Sequence, residues 1–456
     1  MSPPSRRRAA VDPARRVAYD AVRAVSERDA YVNLVLPAML TDRCVGTRDA
    51  AFATELSHGT LRLSGTYDAI LGRCTRRPLA DVDPPVLDAL RLGAHQLLST
   101  RIPAHAAVTT TVELVRAAVG ERPVTFANAV LRRVAERDVA GWLDLISDGL
   151  PPLPRLAARH GHPAWVVELL HDALGGDLAQ TEALLAADNE PPRVTLVARP
   201  GRITRTQLRR EAGGTAGRWS PYAVELPGGN PAALGPVADG RAGVQDEGSQ
   251  LVAIALSAAR VEGRDTRWGD PCAGPGGKAA LLAGIASERG ATVLASELQQ
   301  HRARLVQITL RSARGTCGVV VADATRPAWP PGAFDRVLVD APCTGLGALR
   351  RRPEARWRRA PHDLHALVPL QRALLESALA SVRVGGVVGY VTCSPVLAET
   401  RDVVDAVLRG RGDVLEEDAR LLLPHVPGLG EGPHLQLWPH RHGTDAMFLS
   451  LLRRTG

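Results

Sequence analysis

Lysine is almost absent from this chain of 456 residues: Lys278 stands alone among 56 basic residues, and all the others are arginine. The excess of Arg, Ala and Gly runs the whole length and reads as compositional bias, so an arginine at any one position carries little functional weight. Cysteine is scarce too. Cys44, Cys74, Cys272, Cys317, Cys343 and Cys393 show no C-x-x-C spacing, which argues against a zinc site or a disulfide framework and for a reducing compartment. No uninterrupted apolar run reaches the roughly 18 residues of a membrane span. The opening "MSPPSRRRAAVDPARR" lacks the apolar core of a secretory signal. A cytoplasmic chain with no membrane and no metal partner is expected, with a monomer as the default.

What is present is length, positive charge and a change of rhythm. The length calls for two or three domains. A net charge of +8 suits a polyanionic partner, most commonly nucleic acid. Residues 1–11 read as a disordered basic tail. From 12 to 145 the apolar spacing is helical throughout, as in Val17, Ala21, Val22 and Val25. The Pro-rich "DGLPPLPRLAARHGHPAW" marks a boundary, and 146–238 reads as a small α+β unit with a strand in "PPRVTLVARP". From 239 to 456 strands alternate with helices: "DTRWGD", "ATVLASE", "GVVVADA", "FDRVLVDAP" and "GGVVGYVTCS" are the strands. That alternation predicts a Rossmann-like α/β domain, a parallel doubly wound sheet with its ligands at the carboxyl ends of the strands.

The lone lysine sits in the first loop of that domain, "DPCAGPGGKAALLAG". The loop is not a Walker A motif, because Cys272 replaces its first glycine and Ala279 its Ser/Thr, and it is not G-x-G-x-x-G. What remains is an acid at a strand end (Asp270), a tight Gly-Pro-Gly-Gly turn, and a helix start that favours an anion. Glu297, at the next strand end, is placed to accept from ribose hydroxyls. Asp323, at the third, is placed against an adenine edge. Three acids on successive strand ends fit S-adenosylmethionine better than a dinucleotide. The cofactor-binding residues expected are Cys272, Ala273, Gly274, Pro275, Gly276, Gly277, Lys278, Glu297, Asp323 and Asp340.

Cys343 in "DAPCTGLG" and Cys393 in "VTCSP" close the fourth and fifth strands. Adjacent parallel strands would bring the two sulfurs together beside Asp340. The motifs "CAGPGGK", "VLVDAPCTGLG" and "YVTCSP", in this order, resemble the RNA 5-methylcytosine methyltransferases of the NOL1/NOP2/Sun family. "GVQDEGSQLVA" and "LWPHRHGTDAMFLSLLRR" are similar to the same family, and the helical front resembles a NusB-type RNA-binding domain. Together these resemble the layout of the bacterial family members that act on 16S ribosomal RNA. The loop reads "CAGPGG" where many relatives have "CAAPGG", and Glu297 stands where many carry Asp.

The resemblance implies a class I methyltransferase domain that moves a methyl group from S-adenosylmethionine to carbon 5 of cytosine. Carbon 5 is a poor nucleophile until a thiolate adds to carbon 6. The resemblance makes Cys393 that nucleophile, Cys343 the partner that assists proton removal and release, and Asp340 the group facing ring nitrogen 3. Lys278 would approach Asp340 or the cofactor carboxylate where a guanidinium would not fit. "RRRPEARWRR" follows Cys343, and Arg350, Arg351, Arg352, Arg356, Trp357 and Arg358 are expected to hold RNA. Other readings are a tRNA substrate, a DNA cytosine methyltransferase relying on Cys343, and a non-catalytic NusB-like RNA-binding protein.

Overall fold

The computed structural model describes residues 11–456, so the basic tail lies, Val11 apart, outside the described residues. The chain folds into two units. One runs to Glu190 and takes in Leu349–Arg358; the other joins Pro191–Ala348 to Arg359–Gly456.

The first unit is helical, from Pro13–Arg28 to Leu178–Asp188. Its opening helix shows how the sequence builds it. Asp12 caps the first turn by accepting from the Arg15 amide at 2.9 Å, Pro13 occupies the first turn, and Val17, Ala18, Ala21, Val22 and Val25 are buried. They pack in one core with Leu56, Tyr67, Leu90, Leu114 and Leu131. The buried Asp88 carboxylate is held by Arg23 at 2.9 Å and Arg91 at 3.0 Å.

The helical unit extends past the boundary expected at 145. Helices Pro152–His160, Ala164–Ala173 and Leu178–Asp188 group with it and not with the sheet that follows. The prolines that look like a linker are helix starts: Pro151 and Pro163 are N-caps and Pro152 lies in a first turn, where a missing N–H does no harm. Thr66 ties this extension down by donating to the Ala158 carbonyl at 3.0 Å.

The second unit opens with a small antiparallel sheet of β1 (Thr195–Ala198), β2 (Thr215–Ala216), β3 (Ala223–Glu225) and β4 (Ala242–Val244), in the order β2-β3-β1-β4. A larger sheet follows: β5 (Arg267–Asp270), β6 (Thr292–Glu297), β7 (Thr316–Val321), β8 (Phe334–Asp340), β9 (Val382–Thr392), β10 (Val414–Glu417), β11 (Leu435–Gln436) and β12 (Phe448–Arg454). Its order is β10-β12-β9-β8-β5-β6-β7, with β11 beside β12. Strands β5 to β9 pair in parallel, as the alternation predicts. The sheet as a whole is mixed, which corrects the expectation of a parallel one: β12 inserts antiparallel between β9 and β10.

Strands are added outward from β5 through β6 to β7, and on the other side from β8 to β9. The direction therefore reverses between β5 and β8, which opens a crevice at their carboxyl ends. Asp270 ends β5 and Asp340 ends β8. Among the described residues no helix is long and apolar enough to cross a membrane, and no group of His, Cys, Asp and Glu could hold a metal ion.

Candidate active site

The loop from Asp270 to Lys278 turns back on itself between β5 and the helix Gly277–Glu288. The Ala273 amide donates to the Ser296 carbonyl at 2.9 Å, and the Arg302 guanidinium donates to the Gly274 carbonyl at 3.1 Å. Two glycines are required here. A Cβ on Gly274 would lie 2.1 Å from a Glu297 carboxylate oxygen, and Gly276 has φ +109° with its would-be Cβ 2.9 Å from Thr309. Pro275 and Gly277 complete a cradle that leaves the first amides of the helix open. Cys272 is partly buried behind it, and burial, then the Asp270 charge, pushes its thiol well above the ordinary range.

The acids differ in what surrounds them. Asp270 is buried, accepts from the Cys272 amide at 3.3 Å through Oδ1, and has no hydrogen-bond partner at Oδ2. Burial, with Asp340 close by, pushes its pKa up to about 8. A donor cation at Oδ2 would restore the charge. Glu297 is buried at the end of β6, 3.5 Å from Arg302. Asp323 is exposed beyond β7, and its Oδ1 accepts from both the amide and the hydroxyl of Thr325, which hold its pKa low.

Lys278 and Asp340 form one ion pair, Nζ to Oδ2 at 2.9 Å. Burial works against the ammonium, but the Asp340 carboxylate outweighs it and the lysine pKa lies above its usual value. Lys278 also faces Cys393, whose pKa it helps to lower. The compact ammonium thus faces both Asp340 and Cys393.

The parallel pairing of β8 with β9 sets the loops after them side by side, and the sulfurs of Cys343 and Cys393 lie 3.4 Å apart. The two thiols are pushed in opposite directions. The hydrogen bond shared with Cys343 lowers Cys393, against burial and the Asp340 charge and with help from Lys278. The same hydrogen bond, together with burial, raises Cys343 well above its usual value. The two sulfurs share one hydrogen bond. Gly347 closes the first loop: its amide donates to the Cys393 carbonyl at 2.9 Å and its carbonyl accepts from Ala446 at 2.8 Å. A Cβ there would lie 2.2 Å from the Ala446 oxygen.

Residues that sequence reasoning passed over complete the site. Thr344, Ser394, Gln371 and Glu399 form a buried polar cluster behind the cysteines. Asp445, before β12, adds a negative charge facing Cys393.

The arginine run departs from expectation. Arg356 is fully buried in the helical unit. Its Nη1 donates to Asn189 Oδ1 at 2.9 Å and to the Arg62 carbonyl at 3.0 Å, and burial brings its pKa down to about 10. Arg350 is buried as well, and Arg358 donates to the Val25 and Ala30 carbonyls while lying over the Tyr31 ring. A buried guanidinium cannot reach a phosphate, so Arg350 and Arg356 are removed from the RNA-facing set, and Arg358 is largely engaged. Arg352 is exposed and lies over Tyr31, Arg351 is half-buried, and the Trp357 indole is 46% exposed beside Gly65.

Comparisons with known proteins agree with this architecture. Residues 259–453 match the model of the 16S rRNA methyltransferase RsmB/F, and residues 12–136 match the NusB family. The chain is 54% identical to the putative methyltransferase Rv1407 of Mycobacterium tuberculosis over the full length of both. It is 30% identical to the probable ribosomal RNA small subunit methyltransferase B of Bacillus subtilis, over 97% of this chain and 99% of that one. The solved structure of PH0851 shares the fold with a TM-score of 0.80 at 21% identity, covering 98% of this chain and 99% of that one. NSun6 from Pyrococcus horikoshii, solved with SFG, shares it with a TM-score of 0.55 at 18% identity, over 64% of this chain and 98% of that one. With a NusB-like helical front, a mixed methyltransferase sheet and relatives this similar along their whole length, the chain belongs to the RsmB/F family of ribosomal RNA methyltransferases.

Proposed function

We propose that the protein transfers a methyl group from S-adenosylmethionine to carbon 5 of a cytosine in small-subunit ribosomal RNA, through a covalent adduct on Cys393. The observation that carries this reading is the pair of sulfurs 3.4 Å apart whose pKa values are pushed in opposite directions.

The cofactor's residues fit. The orphan oxygen of Asp270 suits its ammonium group, Glu297 its ribose, and Asp323 its adenine edge, while the glycine cradle admits its close approach. When bound, the cofactor supplies an electrophilic methyl group. The chain's residues do the rest. The Cys393 thiolate adds to carbon 6 of the ring, and carbon 5 gains the electron density needed to accept the methyl. Asp340, held by Lys278, faces ring nitrogen 3, and the Lys278 ammonium beside it offsets the negative charge that builds in the ring. Solvent water is the final acceptor of the carbon 5 proton, the electron pair left behind expels the Cys393 thiolate and restores the ring, and the Cys343 thiol assists by hydrogen-bonding the sulfur as it leaves. Cytosine must leave its stack to reach both sulfurs, which favours a loop or bulge in the RNA. The helical unit and the small sheet select that RNA, with Arg351, Arg352 and Trp357 as contacts.

The test incubates wild type, Cys343→Ala and Cys393→Ala with S-adenosylmethionine and labelled small-subunit RNA, followed by denaturing electrophoresis. A protein–RNA band that accumulates with Cys343→Ala and is absent with Cys393→Ala is expected. The reverse pattern would move the nucleophile to Cys343, and methyl transfer by Cys393→Ala would sink the adduct altogether.

A further inference from the structure

Glu399 ends the short turn Leu397–Glu399, beyond β9 and the second cysteine. It is completely buried, and among the described residues no cationic group pairs with it. A carboxylate in such a place is tolerated only when its lone pairs are matched by donors. Four donors match them. Oε1 accepts from the Thr344 amide at 2.7 Å and from Gln371 Nε2 at 3.1 Å; Oε2 accepts from the Thr344 hydroxyl at 2.5 Å and the Ser394 hydroxyl at 2.6 Å.

The identity of these donors gives the cluster its meaning. Thr344 directly follows Cys343, and Ser394 directly follows Cys393. Gln371 also donates to the carbonyl of Pro342, on the other side of Cys343, at 2.8 Å. The two hydroxyls meet at one oxygen and lie 3.2 Å from each other. The Glu399 carbonyl is itself fixed by the Tyr390 hydroxyl of β9 at 2.8 Å. One carboxylate therefore sets the register of both cysteine loops.

We propose that Glu399 is the positioning residue of the two-cysteine site: it binds the residues that follow both cysteines, holds their sulfurs within reach of each other, and places its charge on the Cys343 side of the pair. The proposal rests on the two-cysteine reading above. The charges around the sulfurs agree with the assignment. The hydrogen bond to Cys393 and burial do most to raise the Cys343 pKa, and the Glu399 charge adds to them. Cys393 faces Lys278, Asp340 and Asp445 instead, from the helix after the cradle, from β8 and from the segment before β12. Tyr390 stays neutral beside Cys343 and Glu399, its pKa raised mainly by burial.

The first part of the test needs neither RNA nor cofactor; the second measures methyl transfer. Wild type, Glu399→Gln and Glu399→Ala are treated with iodoacetamide from pH 6 to 10, and alkylation of each cysteine is followed by peptide mass spectrometry. Wild type is expected to react first at Cys393. Glu399→Gln keeps the reach but loses the charge, and its Cys393-to-Cys343 rate ratio at neutral pH should fall about tenfold, which corresponds to about one pKa unit. Glu399→Ala should lose most of kcat for methyl transfer while KM for S-adenosylmethionine stays within about twofold. Circular dichroism and cofactor affinity identify the folded variants.

A folded Glu399→Gln with the wild-type ratio, or a folded Glu399→Ala with wild-type kcat, overturns the proposal. Should Glu399→Ala fail to fold, Glu399→Gln alone decides. A wild type that reacts first at Cys343, or that captures RNA on Cys343, would instead overturn the two-cysteine reading.

Discussion

Lys278 and Arg356 are both buried cations, and the chain treats them in opposite ways. Lys278 has a carboxylate 2.9 Å away and is held charged above its usual pKa. Arg356 hydrogen-bonds carbonyl and amide oxygens, and burial, only partly offset by the Asp188 charge, pulls its pKa down to about 10. A carbonyl offers a partial charge where a carboxylate offers a whole one, so the first arrangement ties backbone together and the second holds a charge ready for chemistry. The flat, forked guanidinium suits the first task and the compact ammonium the second. In a chain so poor in lysine, the exception stands beside Asp340 and Cys393.

The sharpest way to break the comparison is to exchange the cation at the cradle. Lys278→Met should reduce methyl transfer by about two to three orders of magnitude, because Asp340 loses its partner and Cys393 its neighbouring positive charge. Lys278→Arg should restore only a small part of that loss in a tritiated-methyl assay. Full activity in Lys278→Arg would mean that charge alone matters there.

Arg356 is expected to behave differently. Arg356→Met should lower stability by about 3 kcal/mol in urea unfolding, since several buried acceptors lose their donor, while the rate per folded molecule changes little. A large loss of rate in the folded fraction would give Arg356 a functional role after all.

Asp270 is a buried acid beside the same lysine, and among the described residues no cation pairs with it directly. Its folded pKa of about 8 lies above the ordinary carboxylate value, so the folded state binds the proton more tightly than the unfolded state. Its contribution to stability is complete below about pH 4 and is lost as the pH rises through about 8. Without cofactor, Asp270→Asn should therefore melt higher than wild type at pH 9, by roughly 1–2 kcal/mol, and lose that advantage near pH 4. Melting curves that stay parallel across this range would contradict the burial argument. The smallest effect is expected at Arg352: Arg352→Ala should weaken RNA binding about threefold and reduce the salt slope by about one ion, whereas Arg356→Met leaves the slope unchanged.

The sequence made the chemistry legible wherever it was local. The turn from Asp270 to Lys278, the strand ends at Glu297 and Asp340, and the two cysteines each sit in a short stretch whose residue types are restrictive, and the parallel alternation put Cys343 beside Cys393. What stayed hidden was non-local. Glu399 reads as one more polar residue in "VLAET", and its meaning arises only when donors from 344, 371 and 394 converge on it. β12 looks like any apolar segment, and nothing in its pattern says that it enters between β9 and β10. The arginines of "RRRPEARWRR" look alike in sequence, yet Arg356 is buried and Arg352 is exposed. Prolines at 151, 152 and 163 suggested a break because helix starts and linkers use the same residue.

The isolated lysine has one more consequence. A lysine-specific protease has a single bond to cut in this chain, after Lys278, and the side chain it must grip is only 12% exposed and tied to Asp340. Cleavage into two large fragments therefore reports how often the cradle opens. A ligand that seals the cradle would slow the cut, so the intact chain can be read as its own occupancy meter, without a label.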